Sequence, residues 1–431
     1  MTRPALYHVA TLGCKLNQFD SASMEATLVA MGFRPTADAG AARLVIVNTC
    51  TVTSSADSQS RQLIRSLRRA NPCCTLLVTG CYAQRDPRAL EAIPGVDAVV
   101  GLQEQKGLRG LVVKLVPDLP PAPACEEAAD DPLPFFSDRT RAFLKIQEGC
   151  DLKCSYCVIP SVRGASRSVP PAQVLAQLGR LIESGFQEIV FTGVNTGDYG
   201  KDLEPSLTLA GLLRRAARLP GLGRLRLNSV EPRCVTGELV ETLAEEPRLA
   251  PHLQVPLQSG SDAVLRRMRR PYSTNHYQKA LEGIREKLPE AGLGADVIVG
   301  FPGETEEEFR RTKAFVESSE LNYLHVFSFT PRPGTPAGEA RDRIPGDVIR
   351  RRNAELREIG ARLSRRFRAS FLNRELEVLG LRDASQAEEV RALSGNFIEV
   401  SLQARPEDAV NRLVRARVTQ VDDARVTAVP A

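Results

Sequence analysis

Three cysteines in one short segment are the strongest chemical signal in this sequence. Cys150, Cys154 and Cys157 are spaced as C-x3-C-x2-C. Three thiolates in one loop can hold three irons of a cubane [4Fe–4S] cluster and leave the fourth iron without a protein ligand. An iron that is open in this way can bind another molecule. The spacing therefore predicts an iron–sulfur centre whose chemistry takes place at its free corner.

Zinc is the main alternative for this segment. Zinc usually takes four protein ligands, often as C-x2-C pairs or together with histidine. The chain has four histidines, none of them near the segment: His8, His252, His276 and His325. The number and type of ligands therefore favour an iron–sulfur cluster.

A second set of cysteines is spread over the first hundred residues. Cys14, Cys50 and Cys81 each follow an apolar run, within Leu-Gly-Cys, Asn-Thr-Cys and Thr-Gly-Cys. If these runs are adjacent parallel strands, their carboxyl ends converge at the edge where open α/β sheets place their sites. Each cysteine alone is more typical of a small buried hydrophobic residue. Together they predict a second three-cysteine cluster.

The elements that would position this second set are strands alternating with helices over residues 1–116. The predicted strands lie near Tyr7–Leu12 and at Leu44–Val47, Leu76–Val78 and Ala98–Val100, and helices are predicted at about Ser21–Met31 and Asp57–Ala70. Alternation with short connections predicts a parallel, Rossmann-like sheet. A dinucleotide site has no support, because no G-x-G-x-x-G follows the first strand.

The segment 117–138 contains six prolines and an acidic stretch, which indicates a linker. Residues 139–330 alternate again, and six βα units predict a partial (β/α)6 TIM-type barrel in a domain that extends to residue 370. Its strands are predicted at Phe143–Ile146, Glu188–Phe191, Arg224–Asn228, His252–Val255, Asp296–Val299 and Tyr323–Phe329. Chemistry in such barrels takes place at the carboxyl ends of the strands, which is where Cys150 follows the first strand.

The C-terminal part begins with an arginine-rich stretch at 341–370, predicted to be helical from about Asp347 to Phe371. This helix could contact RNA phosphates, or it could be a solvated helix paired with its own glutamates. Short apolar segments follow at Leu376–Leu379, Phe397–Leu402, Leu413–Val418 and Arg425–Val429. They predict a small antiparallel β-barrel over residues 371–431.

The remaining cysteines carry less information. Cys73 and Cys74 precede an apolar run, Cys125 lies in the linker, and all three are interpreted as structural. Cys234 follows Glu231-Pro-Arg at the edge of the predicted barrel, so a role near the site stays open.

Composition sets wide bounds. The chain has 431 residues, 42% hydrophobic and 25% charged, with a net charge of +5, too small to establish a nucleic-acid partner by itself. No apolar run reaches the roughly 20 residues of a membrane span, and the N-terminus lacks the apolar region of a secretory signal. We therefore expect a cytoplasmic protein with no membrane contact.

Together, the two cysteine sets and the order of the domains resemble the methylthiotransferases of the radical S-adenosylmethionine (SAM) superfamily. Within that family the sequence is most similar to the MtaB-type tRNA enzymes, in segments such as Thr11-Leu-Gly-Cys-Lys-Leu-Asn-Gln18, Gly80-Cys-Tyr-Ala-Gln84 and Pro256-Leu-Gln-Ser-Gly-Ser261. Tyr82 favours this branch, because the isopentenyladenosine-specific relatives commonly have methionine there. The resemblance implies an N-terminal methylthiotransferase domain, a radical SAM domain and a C-terminal TRAM barrel.

The resemblance implies two [4Fe–4S] clusters and S-adenosyl-L-methionine as cofactors. Cys150, Cys154 and Cys157 would hold the cluster that binds SAM, and the auxiliary cluster would be held by Cys14, Cys50 and Cys81. The family places an aromatic ring near the adenine of SAM, at the position of Tyr156. The ends of the barrel strands offer further contacts at Gly193, Asn195, Glu231, Gln258 and Val326. An alternative for Glu231 is a surface salt bridge.

The implied substrate is N6-threonylcarbamoyladenosine next to the anticodon of tRNA, which receives a methylthio group at C2. No acid–base pair is required for hydrogen-atom abstraction, so we assign no catalytic side chain. The implied partners are the tRNA anticodon stem-loop, an electron donor such as flavodoxin or ferredoxin, and a sulfur donor; a monomer is the default. The alternatives are another tRNA adenosine, a ribosomal-protein residue, or an iron–sulfur RNA-binding protein without catalysis.

Overall fold

The structure is a computed structural model that describes residues 5–116, 140–382, 388–423 and 425–431. The predicted linker 117–138, with Cys125, lies outside these described residues. The chain divides into two compact units. The first consists of Met1–Ser137 with Cys157–Ala165, and the second of Asp138–Tyr156 with Ser166–Ala431.

The first unit is built on a five-stranded parallel sheet in the order β2-β1-β3-β4-β5. Its strands are β1 (Leu6–Thr11), β2 (Arg34–Pro35), β3 (Leu44–Thr49), β4 (Thr75–Gly80) and β5 (Ala98–Val99). Its α-helices are α1 (Lys15–Ala30), α2 (Ser54–Ala70), α3 (Cys81–Arg85), α4 (Pro87–Glu91), α5 (Leu108–Leu115) and α6 (Ile159–Arg163). The parallel Rossmann-like sheet is confirmed.

The central strand β3 explains the stability of this sheet. All six of its residues are buried, and the apolar ones alternate between two clusters on opposite faces. Both faces are therefore covered, as expected for a parallel sheet. Helix α1 begins six residues earlier than the predicted Ser21, because Leu16 and Phe19 are buried and extend its apolar face towards the sheet.

The second unit contains six parallel strands in chain order, as predicted for the barrel. They are β6 (Arg141–Lys145), β9 (Glu188–Thr192), β10 (Arg224–Leu227), β11 (His252–Gln254), β12 (Gly292–Val299) and β13 (Tyr323–Ser328). The sheets β6-β9-β10 and β11-β12-β13 are connected by single bridges, including Ser229 to Gln254. A short antiparallel hairpin of β7 (Gln147–Glu148) and β8 (Arg167–Ser168) follows β6.

Helices cover the outside of these strands. They are α7 (Pro171–Glu183), α8 (Leu209–Ala217), α9 (Gly237–Glu245), α10 (Asp262–Arg267), α11 (Thr274–Lys287), α12 (Glu306–Ser318), α13 (Pro336–Glu339) and α14 (Gly346–Ala369). Helix α14 is the predicted arginine-rich helix. No helix in the described ranges is both long and apolar enough to cross a membrane.

A closed five-stranded barrel ends the chain, in the order β14-β15-β16-β18-β17. Its elements are β14 (Glu375–Gly380), β15 (Val390–Ser394), β16 (Glu399–Leu402), α15 (Pro406–Ala409), β17 (Leu413–Val421) and β18 (Val426–Pro430). The prediction of an antiparallel barrel is wrong at one pair, because β16 and β18 run parallel. The chain crosses between them through β17, which pairs with the other side of β18. Strand β15 was not predicted.

This C-terminal barrel packs against the amino ends of the TIM-type strands. Arg226 Nη2 on β10 donates to the Ser394 carbonyl at 2.9 Å, and Arg224 Nη2 donates to the Glu377 carbonyl at 2.9 Å. Between the two arginines lies Glu188, the first residue of β9, which is fully buried. The C-terminal barrel therefore lies at the opposite edge from the strand carboxyl ends.

Candidate metal centres

The cysteines of the first unit follow three adjacent strands. Cys14 lies between β1 and α1, Cys50 directly follows β3, and Cys81 is the first residue of α3 after β4. Since β1, β3 and β4 are neighbours in a parallel sheet, their carboxyl ends lie at the same edge. The structure therefore brings the three predicted residues to one region of the first unit.

Two glycines make the turns that lead into this region. Gly13 has φ of +99°, and a Cβ there would lie 2.7 Å from Cys50 Cβ and 2.8 Å from its Sγ. Gly80 also has φ of +99°, and a Cβ would lie 2.4 Å from the Thr49 carbonyl oxygen. Only glycine combines that backbone conformation with so close an approach. Gly13 therefore leaves room for the Cys50 side chain, and Gly80 leaves room for the backbone of Thr49 just before Cys50.

Burial is the main influence on the thiols. It raises the pKa of Cys81 to about 12, an increase that the Arg163 guanidinium opposes and the neighbouring Cys14 reinforces. Burial also raises the pKa of Cys50, with a further contribution from Cys14. Across the part of the chain that the structure describes, no three His, Cys, Asp or Glu side chains are already arranged to hold one metal ion. Ligation would therefore need proton release and side-chain rotation.

In the second unit, Cys150 and Cys154 follow the hairpin strand β7. Cys154 Sγ accepts a hydrogen bond from Arg270 Nη1 at 3.1 Å. Arg270 also forms an ion pair with Glu231; the Arg270 side chain is 4% exposed and that of Glu231 11%. Burial raises the pKa of Cys150, and Cys154 and Glu231 contribute to the increase. Cys157 begins the segment 157–165 that belongs to the first unit.

Two of the predicted cofactor contacts have buried acceptor atoms without a partner. Asn195 Oδ1 and Glu231 Oε2 are both buried and accept no hydrogen bond. The Asn195 amide nitrogen donates to Asp198 Oδ2 at 2.6 Å, which fixes the direction of its oxygen. Unsatisfied buried acceptors are costly unless a ligand supplies donors. The surface salt-bridge alternative for Glu231 is wrong, since its partner Arg270 is buried.

The other predicted contacts lie in different surroundings. Gly193 has no room for a side chain, because a Cβ would lie 2.9 Å from Gln147 Oε1. Gln258 has φ of +65° and bridges to Val297 of β12, and its backbone N–H donates to the Asp296 carbonyl at 2.8 Å. Val326 is buried on β13, and Tyr156 packs against a cluster that includes Phe301. These four remain predictions.

The other cysteines of the described chain are Cys73, Cys74 and Cys234. Cys74 is buried in the apolar cluster on one face of the first sheet. Its Sγ donates to the Asn71 carbonyl at 3.3 Å, which is typical of a structural residue. Cys73 is exposed. Cys234 is buried with its Sγ 3.6 Å from Asp198 Oδ1, and burial raises its pKa to about 11. Asp198 also accepts a hydrogen bond from Asn195, so Cys234 lies beside a predicted cofactor contact.

Comparison with known proteins decides the family. Residues 6–101 match the uncharacterized protein family UPF0004, and residues 144–316 match the radical SAM superfamily. The threonylcarbamoyladenosine tRNA methylthiotransferase MtaB of Bacillus subtilis is 37% identical over 425 residues, which cover 95% of this chain and 92% of that protein. The chain belongs to the MtaB-type methylthiotransferases.

Two further relatives are also tRNA-modifying enzymes, and one solved structure shares the fold. The MtaB of Thermotoga maritima is 37% identical over 86% of this MtaB-type chain and 85% of its own. The tRNA-2-methylthio-N(6)-dimethylallyladenosine synthase of Thermobifida fusca is 33% identical, covering 92% and 82%. The radical SAM methyltransferase TsrM from Kitasatospora setae has a TM-score of 0.58 with 17% identity, over 78% of this chain and 77% of that one. At that identity the likeness shows the fold alone.

MtaB-type enzymes are radical SAM enzymes with two [4Fe–4S] clusters, and the residues of this chain fit those groups. Each predicted set offers three thiols, the soft ligands that iron–sulfur clusters require. The free acceptor atoms of Asn195 and Glu231 suit the ammonium group of SAM. When bound, the clusters and SAM supply the radical and sulfur chemistry of the family.

Sequence reasoning missed two buried arginines that contact these cysteines in the MtaB-type fold. Arg270 Nη1 donates to Cys154, and Arg163 Nε donates to Cys81 Sγ at 3.3 Å. Arg270 lies in the arginine-rich stretch 266–270, where single residues do not stand out. No local signal indicates Arg163, because its partner Cys81 lies 82 residues earlier in the chain.

Proposed function

We propose that this enzyme adds a methylthio group to C2 of N6-threonylcarbamoyladenosine next to the anticodon of tRNA. The observation that carries the proposal is the 37% identity to the MtaB of Bacillus subtilis over 95% of the chain. Because the match covers 95% of the chain, it extends into all three proposed domains. The dimethylallyladenosine synthase of Thermobifida fusca is also similar, at 33% identity, so the substrate needs a direct test.

The proposal assigns each part of the chain a task. Residues 1–116 would carry the auxiliary cluster on Cys14, Cys50 and Cys81. Residues 139–370 would carry the SAM-binding cluster on Cys150, Cys154 and Cys157. Residues 371–431 would form the TRAM-like module that contacts RNA. Support for the auxiliary site comes from the common sheet edge, and support for the SAM site comes from the buried acceptors beside Cys150.

Within the SAM site, the proposed work of the protein is to bind and orient. Glu231 and Asn195 would accept hydrogen bonds from the polar end of SAM through the oxygens that have no partner. Arg270 would hold Glu231 and Cys154 in fixed positions, because its guanidinium contacts both. Buried side chains held in this way need no reorganisation when the cofactor binds.

The contacts of the arginine-rich helix α14 support the second interpretation given above, a solvated helix whose arginines pair with glutamates. Arg351 pairs with Glu306, Arg362 with Glu317, and Arg352 is buried against Glu304. Arginines already paired on their own surface have less to offer RNA phosphates. We therefore propose that α14 is chiefly a solvated helix and that the RNA contact depends more on other surfaces.

Tyr82, the residue that favours the threonylcarbamoyl branch, is buried in the first unit. Its hydroxyl accepts a hydrogen bond from Arg61 Nη1 at 2.7 Å, and the Arg85 guanidinium lies 5.3 Å from the ring centre. The ring packs in the apolar cluster on one face of the first sheet. We propose that Tyr82 affects the substrate preference only through the position of α3.

We also propose a cytoplasmic monomer that receives electrons from flavodoxin or ferredoxin and sulfur from a separate donor. The supporting argument is chemical, because free thiolate ligands and low-potential clusters need a reducing compartment.

The test of the substrate uses reconstituted enzyme, dithionite and SAM with two tRNAs. One tRNA carries threonylcarbamoyladenosine and the other carries dimethylallyladenosine at the same position. Mass spectrometry of the nucleosides should show the methylthio product only for the first tRNA. Product on the second tRNA at an equal or higher rate would assign the enzyme to the other branch. Cleavage of SAM without product on either would contradict the proposed reaction.

A further inference from the structure

The segment after Cys157 sends one buried arginine to the cysteine edge of the first sheet. Arg163 is the last residue of α6, and its side chain is 1% exposed. Its Nε donates to Cys81 Sγ at 3.3 Å, and its Nη2 donates to Asn17 Oδ1 at 2.7 Å and Asp20 Oδ2 at 3.0 Å. All of these residues belong to the first unit.

Helix α6 is held in place independently of this contact. Val158 and Val162 are buried against Cys81 and Leu102 in a small apolar cluster. Gly164, with φ of +78°, ends the helix directly after Arg163. The helix therefore presents the guanidinium in a fixed direction, which a long side chain on a loose loop would not achieve.

Asn17 extends the network to the other two cysteines. It is fully buried, and its Nδ2 donates to the Leu12 carbonyl at 2.8 Å and the Thr49 carbonyl at 3.0 Å. These carbonyls lie two residues before Cys14 and one before Cys50. The guanidinium of Arg163 and the amide of Asn17 thus link the three strand ends that carry cysteines.

We propose that Arg163 is a positioning residue of the auxiliary site, which fixes Cys81 as a ligand and donates a hydrogen bond to its sulfur. The inference rests on the assignment of Cys14, Cys50 and Cys81 as ligands of that cluster. Hydrogen bonds to ligand sulfur stabilise the more negative, reduced state of a cluster and thereby raise its reduction potential. Only arginine presents three separate donors in one rigid plane, so lysine is an incomplete replacement.

The geometry separates this role from simple structural support. The ion pair with Asp20 stabilises the fold, whereas the Nε donor points at sulfur. Asp20→Asn removes the ion pair and leaves the donor to Cys81. Arg163→Gln removes the donor, and Arg163→Lys keeps the charge beside Asp20 while losing the Nε–H.

The experiment uses the full chain with Cys150, Cys154 and Cys157 replaced by alanine, so that bound iron belongs to the auxiliary site. Arg163→Gln, Arg163→Lys and Asp20→Asn are made in this background. Each is reconstituted without oxygen, and its iron, its rate of iron loss to a chelator and its reduction potential by EPR-monitored titration are measured. Thermal unfolding of the apoprotein reports folding separately.

Arg163→Gln should lose iron several-fold faster and have a more negative potential, and Arg163→Lys should shift in the same direction. Asp20→Asn should lower the unfolding temperature without a comparable shift of potential. If Arg163→Gln does not fold, the iron loss and reduction potential of Arg163→Lys test the proposal. Unchanged potential and iron retention in the folded Arg163 variants, or an equal shift in Asp20→Asn, would overturn the role of Arg163.

A further variant separates this inference from the proposed function. Cys81→Ala in the same background should abolish iron binding. Full iron retention by Cys81→Ala would overturn the ligand assignment, and the inference with it. Loss of iron by Cys81→Ala together with wild-type behaviour of both Arg163 variants would overturn the inference alone.

Discussion

Nη1 of Arg270 lies 3.1 Å from Sγ of Cys154, deep in the second unit. The same guanidinium pairs with Glu231, whose second carboxylate oxygen is buried without a partner. A buried ion pair with one carboxylate oxygen unpaired is typical of a site where a ligand supplies the hydrogen-bond donor. This relationship links the proposed cluster ligand to the proposed SAM contact through one side chain.

We therefore expect Glu231→Gln to weaken SAM binding. The free oxygen would lose its negative charge, and a charge-assisted hydrogen bond is worth about 1.5–3 kcal/mol, or roughly ten-fold or more in Kd. Equilibrium binding of SAM to reconstituted protein measures the effect. Glu238→Gln is the matched control, since Glu238 pairs with Arg214 on the surface and should bind SAM as the wild type does. Equal affinity of the two variants would contradict the assignment of Glu231.

Gly13 is predicted to be intolerant of any side chain. Gly13→Ala would place a Cβ 2.7 Å from Cys50 Cβ at φ of +99°. The strain should cost about 1–3 kcal/mol and reduce the iron bound by the first unit. Gly110→Ala is the control, because no heavy atom lies within 4 Å of its Cβ and it lies inside α5. Wild-type iron content in Gly13→Ala would show that the turn does not shape the site.

The junction between the two barrels should depend on Glu188. Glu188 is fully buried and pairs with Arg224 at 3.1 Å and Arg226 at 3.0 Å. Glu188→Gln leaves the buried Arg226 without a counter-charge and Arg224 with only the exposed Glu377, so we expect a loss of about 3–5 kcal/mol in unfolding free energy. Chemical denaturation measures it. Glu377→Gln, at the exposed partner of Arg224, should lose less than about 1 kcal/mol. Equal losses would refute the central role of Glu188.

The same residue predicts a pH dependence. Burial by itself raises the pKa of Glu188, but the guanidinium groups of Arg226, Arg224 and Arg141 outweigh it and lower the pKa to about 2. A depressed pKa adds stability above the unfolded value of about 4.3, and this stability is lost as the pH falls towards 2. Unfolding free energies measured from pH 6 to 3 should therefore fall more steeply in the wild type than in Glu188→Gln. Parallel curves of unfolding free energy against pH for the wild type and Glu188→Gln would contradict a stabilising role of these ion pairs.

The arginines of α14 should contribute little to tRNA affinity. Arg351 and Arg362 are already paired with Glu306 and Glu317. The double variant Arg351→Gln, Arg362→Gln should weaken tRNA binding by less than about three-fold and leave the slope of log K against log salt nearly unchanged. A slope reduced by about two would show instead that both residues contact phosphates.

Much of the fold could be predicted because apolar runs identify buried parallel strands. β3, β4 and β9 were located within one or two residues, since every residue of these strands is buried except the partly buried Thr75. Strand β15 was missed because Val390-Arg-Ala-Leu-Ser is short and carries one charge. The parallel pair β16 and β18 could not be inferred, because chain order does not reveal which barrel strands become neighbours.

The cysteines of the candidate auxiliary site could also be predicted from the sequence, but the arginine beside them could not. Cys14, Cys50 and Cys81 were found because each follows a strand, and the sheet determines where strands end. Arg163 was not found, because its partner Cys81 lies 82 residues earlier in the chain. Such a contact depends on how α6 packs, and no local pattern encodes it.

The most direct test of the account compares the wild type with the variant that has alanine at Cys14, Cys50 and Cys81. Each is reconstituted and supplied with dithionite, SAM and tRNA carrying threonylcarbamoyladenosine, and 5′-deoxyadenosine and modified nucleosides are quantified together. The account predicts both products from the wild type, and 5′-deoxyadenosine without the methylthio nucleoside from the variant. Methylthio nucleoside from the variant, or none from the wild type, would contradict the account.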